Sequence, residues 1–326
     1  MLTHLRKGRQ LWSATRRLCF IQVSNKSTST SLEGILVAPF TPFNKDGSVN
    51  YDEFKDCMKY FKDAQFNGLF VNGTLGEGMA LSCEERMKTA EKWKEVLEGM
   101  SYILHIGTGN IEETKMLAQH AEQLGVDAIA ALPPTYYKPQ TEEQLIDYME
   151  QVAESAPNTR LMYYEYNLTT GVNLNMPRFL SLAEKRIPTL YGLKHTTQDL
   201  NSALACTMIC DEKYKIFYGS EALYLPSLSI GLPDIITSPF MGKYFNAIKK
   251  SYDGGDLKMA QDIQKAALSL STLQAIYGKG IGSAKGMFEI LSNCKVGPPR
   301  LPLQAMSEEY MKSMREVILS NYGKKS

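Results

Sequence analysis

Short apolar runs alternate eight times with charged segments of helical period, an order that predicts an α/β fold, a (β/α)8 TIM barrel with an extra C-terminal helical layer. Three observations carry this. Each run is short and mostly apolar, as expected for a parallel strand buried on both faces. The segments between runs open with helix-capping chemistry. No Gly-x-Gly-x-x-Gly turn follows the first run, which disfavours a doubly wound dinucleotide-binding sheet.

The predicted strands are Ile35 to Phe40, Gly68 to Asn72, Tyr102 to Ile106, Ala128 to Leu132, Leu161 to Tyr164, Leu190 to Lys194, Lys215 to Tyr218 and Asp234 to Thr237. Asn50, Ser82, Asn110 and Thr141 each precede a Glu or Gln by three residues, the spacing of a cap that satisfies the free N–H groups of a first turn. Ala118, Ala121 and Leu124 continue an apolar period, and Gly125 stops it. From Tyr244 to about Ser320 the sequence reads as further helices, so residues 244–322 are expected to form a layer over the barrel or at an oligomer interface. Residues 1–32 differ. They carry Arg6, Lys7, Arg9, Arg16, Arg17 and Lys26 and no acidic group, with much Ser and Thr. That composition fits a mitochondrial transit peptide or a disordered tail. The location expected is therefore cytoplasmic, or mitochondrial if the leader is a transit peptide. Residues 33–326 are read as one domain.

The 326 residues are 44% hydrophobic and 22% charged, ordinary for a globular chain. With 36 basic and 35 acidic side chains, nothing in the charge balance points to nucleic acid. No apolar run reaches the roughly 20 residues that span a bilayer. The six cysteines show no CxxC spacing. Cys206 and Cys210 have no matching second pair, so no metal site is expected.

Lys194 ends the apolar run Leu190-Tyr191-Gly192-Leu193. Two readings are open. It snorkels to water from a strand end, or it is desolvated, loses proton affinity and acts as a neutral amine that condenses with a carbonyl. Barrel enzymes gather their chemistry at the C-terminal ends of strands. There Lys194 has Tyr164 as a neighbour, a plausible proton shuttle. The turn Gly73-Thr74-Leu75-Gly76-Glu77-Gly78 offers backbone N–H groups and a hydroxyl to an anion. His105 and His195 fit no metal pattern, and alternation turns His195 to the opposite side of the wall from Lys194.

The Gly73 to Glu77 turn, the Tyr164 to Gly171 segment and Gly192-Leu193-Lys194 resemble the three signatures of the dihydrodipicolinate synthase and N-acetylneuraminate lyase family of pyruvate-dependent class I aldolases. The resemblance runs from about residue 34 to the C-terminus. Val71 to Thr74, Leu81 to Arg86 and Gly297 to Gln304 look like its lyase branch. The resemblance implies that Lys194 forms an imine with pyruvate, Tyr164 moves the proton, and Thr74 with the backbone of Leu75 holds the carboxylate. Thr196, Gly219, Glu221 and Ser238 fall where lyases bind the sugar end, and Tyr136 resembles a residue lent to a neighbouring subunit's site. It further implies a homotetramer, no cofactor, and reversible cleavage of N-acetylneuraminate or a related sugar acid to pyruvate and N-acetylmannosamine.

Three departures bear on this. Leu75 stands where the family usually has Thr or Ser, Asn167 where it has proline, and Glu221-Ala222 where the lyases have Asp-Glu. The alternatives are a mitochondrial 4-hydroxy-2-oxoglutarate aldolase and a catalytically idle barrel that binds 2-oxo acids.

Overall fold

The computed structural model describes residues 32–278 and 280–322. Within them, strands β1 (Ile35–Val37), β2 (Gly68–Val71), β3 (Ser101–His105), β4 (Ala128–Ala131), β5 (Arg160–Glu165), β6 (Leu190–His195), β7 (Lys215–Tyr218) and β8 (Ile235–Thr237) close a parallel barrel in chain order. The ring of helices is α1 (Phe54–Asp63), α2 (Cys83–Val96), α3 (Ile111–Leu124), α4 (Glu142–Glu154), α5 (Met176–Ala183), α6 (Leu200–Thr207), α7 (Tyr224–Ser229) and α8 (Gly242–Asp253). Alternation along the strands divides the core. Leu36, Phe70, Ile103, Ala130, Met162, Phe217 and Ile236 fill the interior. Val37, Leu69, Val71, Leu104 and Leu193 face the helices. Leu32, assigned from sequence to the leader, is 1% exposed and belongs to the interior cluster. The rest of that leader lies outside the described residues.

The capping chemistry mostly holds. Ser82 and Glu85 form a reciprocal capping box on α2, Asn110 accepts from the N–H groups of Glu112 and Glu113, and Thr141 accepts from Gln144. Gly125 ends α3 in the left-handed conformation, where glycine has no Cβ to clash. Asn50 is the exception. A tight turn at Tyr51–Glu53 intervenes before α1, and the Asn50 side chain makes no cap bond. The added layer begins later than the sequence indicates. Helix α8 follows β8 and packs on β1, so it is the ring's eighth helix. The true additions are α9 (Leu257–Ile276), α10 (Ile281–Ser292) and α11 (Glu308–Tyr322).

After α10 the chain returns across the loops at the barrel mouth. Val296 accepts from the Phe43 N–H, and Arg300 donates to the Gly47 carbonyl and pairs with Glu85. Beneath this strap, Lys285 of α10 makes a fully buried ion pair with Glu77, Nζ to Oε1 2.7 Å. The second Glu77 oxygen accepts from the Arg300 backbone N–H at 2.8 Å. Glu77 has φ +52 and sits in the Gly73–Gly78 turn. The pair therefore ties the C-terminal layer to that turn.

Removing one partner of a buried pair leaves a desolvated charge, so Lys285→Met should lose about 3–5 kcal/mol of stability in urea unfolding. The double variant Lys285→Met, Glu77→Gln should recover part of that loss. A single variant as stable as the parent would mean that the pair holds nothing.

Candidate active site

Register places the central residues side by side. Tyr164 of β5 is the direct partner of Lys194 of β6, and Lys194 is the partner of Phe217 of β7. All three point inward. Gly192 allows the close approach of β6 and β7, since a Cβ there would collide with the Lys215 carbonyl. Lys194 is 5% exposed. Its Nζ lies 3.9 Å from the Phe70 ring centroid and 4.1 Å from that of Tyr164. The snorkelling reading fails: the amine ends inside the barrel mouth rather than in water.

Two effects oppose each other at this amine. The aromatic faces favour the ammonium form by up to about 2 kcal/mol each. Burial disfavours it and prevails, lowering the Lys194 pKa from 10.5 to about 7. A shift of that size corresponds to a preference of about 5 kcal/mol for the neutral amine relative to water. About half of the molecules then carry a nucleophilic amine at neutral pH.

The Tyr164 hydroxyl lies 3.0 Å from the Thr74 Oγ1. Burial raises the phenol well above its usual range, so it remains protonated in the resting site. Phe70 and His105 meet its ring edge-on at 5.3 and 5.7 Å. His105 makes structural contacts. Its Nδ1–H donates to the Asn72 carbonyl at 2.8 Å, and Nε2 accepts from the Leu132 N–H at 3.3 Å. Burial, with Arg86 nearby, pushes its pKa well down, so the ring under Tyr164 is neutral. His195 faces the other side of the wall and contacts Glu165 at 3.1 Å.

Lys194 opens into an inner chamber of about 180 Å³ that also exposes Thr74, Leu75, Tyr164 and Ser238. An outer chamber of about 300 Å³ continues it between the ends of β6 and β7 and helix α9. Tyr166, Thr196, Gly219 and Glu221 line both. Gly219 is required locally, because a Cβ would strike the Thr196 hydroxyl. Thr196 Oγ1 is buried beside the Tyr164 phenol and helps to hold its pKa down against burial. Glu221 Oε1 accepts from the Thr237 hydroxyl at 2.8 Å and the Ser238 N–H at 2.7 Å. Gln264 of α9 donates to the Glu221 carbonyl at 3.1 Å and holds that loop.

Thus Lys194, Tyr164, Thr74, Leu75, Thr196, Gly219, Glu221 and Ser238 converge. Tyr136 does not. It stacks edge-on against Tyr137 in a loop, and both are 84% exposed. Sequence reading missed Phe70, Tyr166 and the α9 wall of Ala267, Leu268 and Ser271. Alternation along β2 only sets Phe70 on the opposite face from Leu69 and Val71. Nothing in the sequence marks α9 as a wall.

A closed parallel barrel with a dry, partly neutral lysine at its C-terminal mouth defines a barrel enzyme of the amine-nucleophile class. The chain belongs to the dihydrodipicolinate synthetase family, whose model matches residues 31–321. It is 31% identical to N-acetylneuraminate lyase of Homo sapiens over 86% of this chain and 90% of that one. It is 32% identical to the Xenopus tropicalis lyase over 88% and 96%. Among solved structures, N-acetylneuraminate lyase (sialic acid aldolase) from Aliivibrio salmonicida superposes with TM-score 0.86 at 32% identity, covering 90% of this chain and 98% of that one.

The lowered pKa gives a chemical signature. Acetylation of Lys194 by trace acetic anhydride, followed by peptide mass mapping, should reach half its maximal rate near pH 7, whereas exposed lysines follow the ordinary value near 10.4. A midpoint above pH 9 would show that the amine is hydrated.

Proposed function

We propose that this protein is a Schiff-base aldolase that reversibly cleaves N-acetylneuraminate, or a closely related 2-oxo sugar acid, to pyruvate and an aldehyde such as N-acetylmannosamine. The observation that carries the reading is the dry Lys194 amine, with the Tyr164–Thr74 hydroxyl pair in the same chamber. The lyases of similar sequence and fold support it.

In this reading neutral Lys194 attacks the substrate C2 carbonyl, water departs, and one proton taken up from solvent leaves a protonated imine. The imine accepts the electron pair of the breaking C3–C4 bond, so an enamine forms in place of a free carbanion. The proton of the C4 hydroxyl passes through the Tyr164 hydroxyl to the substrate carboxylate or to solvent; Tyr164 stays protonated at rest and therefore works as a relay. Thr74 and the Leu75 N–H hold the carboxylate. Protonation of the enamine and hydrolysis of the imine return Lys194 and release pyruvate. The steps use only these protein groups and water.

The chamber chemistry favours a polyol substrate over 4-hydroxy-2-oxoglutarate. Lys194 is the one cation among the described residues lining the two chambers, and Glu221 is an anion there. A second substrate carboxylate would thus meet an acid and no free base. An idle barrel has no physical need for Lys194, Tyr164 and Thr74 together. The exposed Tyr136–Tyr137 pair supports burial of that loop against another copy in a homotetramer, which sedimentation would test.

Treatment with pyruvate and borohydride should trap a stable adduct on the peptide carrying Lys194. Its absence from folded protein at saturating pyruvate would remove the aldolase reading. Tyr164→Phe should lower kcat by about 10²–10⁴-fold, since it removes the relay and leaves Lys194 in place. Leu75→Thr supplies a further hydroxyl to the carboxylate. A hydrogen bond to a charged group contributes about 1.5–3 kcal/mol, so KM for pyruvate in the condensation direction should fall about tenfold or more with little change in kcat. An unchanged KM would place the carboxylate elsewhere.

A further inference from the structure

Away from the chambers, three potential ligands meet where α1 begins and α10 ends. They are the carboxylate of Glu53 and the thiols of Cys57 and Cys294, whose donor atoms all lie within 4.8 Å of one another. Cys57 is 1% exposed and Cys294 4%, and Glu53 is half-buried. We propose that Glu53, Cys57 and Cys294 bind a single thiophilic divalent ion of the zinc type, with water in the fourth position.

The geometry and the donor chemistry agree. Glu53 directly precedes α1 in helical conformation, and Cys57 follows one turn later, so the two project from one face. Cys294 arrives from a distant part of the chain. The left-handed turn at Asn293 brings it there, and the Ser292 hydroxyl accepts from its N–H. Glu53 is held in place because its Oε1 accepts from the Lys295 N–H at 2.6 Å, which leaves Oε2 for the ion. Zn–S bonds of about 2.3 Å and Zn–O bonds of about 2.0–2.2 Å put tetrahedral ligands roughly 3.3–3.8 Å apart, a small contraction from the arrangement seen. Two thiolates and a carboxylate suit zinc and disfavour magnesium or calcium, which take oxygen donors. Binding releases the two thiol protons to solvent. The partly exposed carboxylate provides the entry path and the side open to water.

The ion would join α1 to the start of the strap that runs from Cys294 through Val296 to Arg300. It lies outside both chambers, so its role is to fix structure. This inference does not depend on the reaction proposed above.

The test uses the full chain, reduced, stripped with a chelator and titrated with Co²⁺. Expected are one equivalent bound, visible bands of tetrahedral cobalt, a sulfur-to-cobalt charge-transfer band in the near ultraviolet, and a higher Tm. Cys294→Ser should abolish the charge-transfer intensity of its thiolate and weaken binding by ~100-fold or more. Glu53→Gln changes a half-buried group conservatively and should weaken binding while the fold persists. Three results would each overturn the proposal: no stoichiometric binding to the folded, reduced parent; binding equally tight in Cys294→Ser; or a Cys57–Cys294 disulfide as the stable form with no metal bound. Borohydride trapping at Lys194, run on the same samples, reads the aldolase site separately.

Discussion

A primary amine is kept dry at the mouth of this barrel, and much of the surrounding architecture serves that condition. Lys194 extends inward from β6 because strand alternation leaves it no other side. Gly192, two residues earlier on the same face, removes the side chain that would hold β7 away. Phe70 and Tyr164 cover the amine with ring faces and contribute no hydrogen-bond acceptor to the ammonium form. The same burial has a thermodynamic consequence. Between pH 7 and about 10.5 the unfolded chain binds a proton at this lysine that the folded chain does not. The contribution of this group to stability therefore rises with pH across that window and is least favourable below it. The fold carries a local cost at neutral pH in exchange for a nucleophile.

Keeping one group dry requires that the adjoining turn not move, and a second buried charge pair meets that requirement. Glu77 lies three residues after Thr74 in the same turn and in a left-handed conformation. Its carboxylate is divided between Lys285 and the Arg300 backbone, both from the C-terminal layer. Within the turn, the Glu77 N–H donates to the Thr74 carbonyl, and the Thr41 hydroxyl donates to the Gly76 carbonyl at 2.6 Å. In the proposed reaction this turn holds a carboxylate, and it would gain little from hydroxyls and N–H groups that wander, because electrostatic preorganisation depends on donors already aimed. The C-terminal layer is thus part of the site's support, and through α9 it is also part of its wall.

The strands, the barrel closure and the Lys194–Tyr164–Thr74 cluster were legible because they rest on short-range signals: apolar runs, alternation and strand-end position. The boundary of the added layer was less so. Tyr244 begins a helix-period segment, but only packing reveals that α8 completes the ring and that α9 is the first addition. Asn50 carried a cap signature that the tight turn before α1 displaced. Leu268 and Ser271 belong to an ordinary amphipathic helix, and their place in the outer chamber depends on how α9 docks. The same limit hid Glu53, Cys57 and Cys294. Spacing rules recognise ligands that are close in sequence, and these are assembled by the crossing of α1 and the end of α10.

The outer chamber is where this chain departs furthest from its family resemblance, and the geometry shows what the departure does to the wall. Glu221 is present, but one of its oxygens is already committed to Thr237 and Ser238, and its loop is held by Gln264. It thus acts first as a brace for the ends of β7 and β8 and offers a ligand a single oxygen. Ala222, Leu168, Met241 and Leu268 make much of the outer chamber apolar, while Gln198, Ser220 and Ser271 leave polar groups at intervals. Each hydroxyl set against an apolar surface forfeits its hydration without a replacement, so in the proposed reaction Gln198, Ser220 and Ser271 are the groups left to meet the hydroxyls of a polyol chain. The reaction centre and the recognition end are therefore under different constraints. Proton affinity and carboxylate geometry fix Lys194, Tyr164 and Thr74, whereas the outer wall can change its preferred aldehyde without disturbing the dry amine.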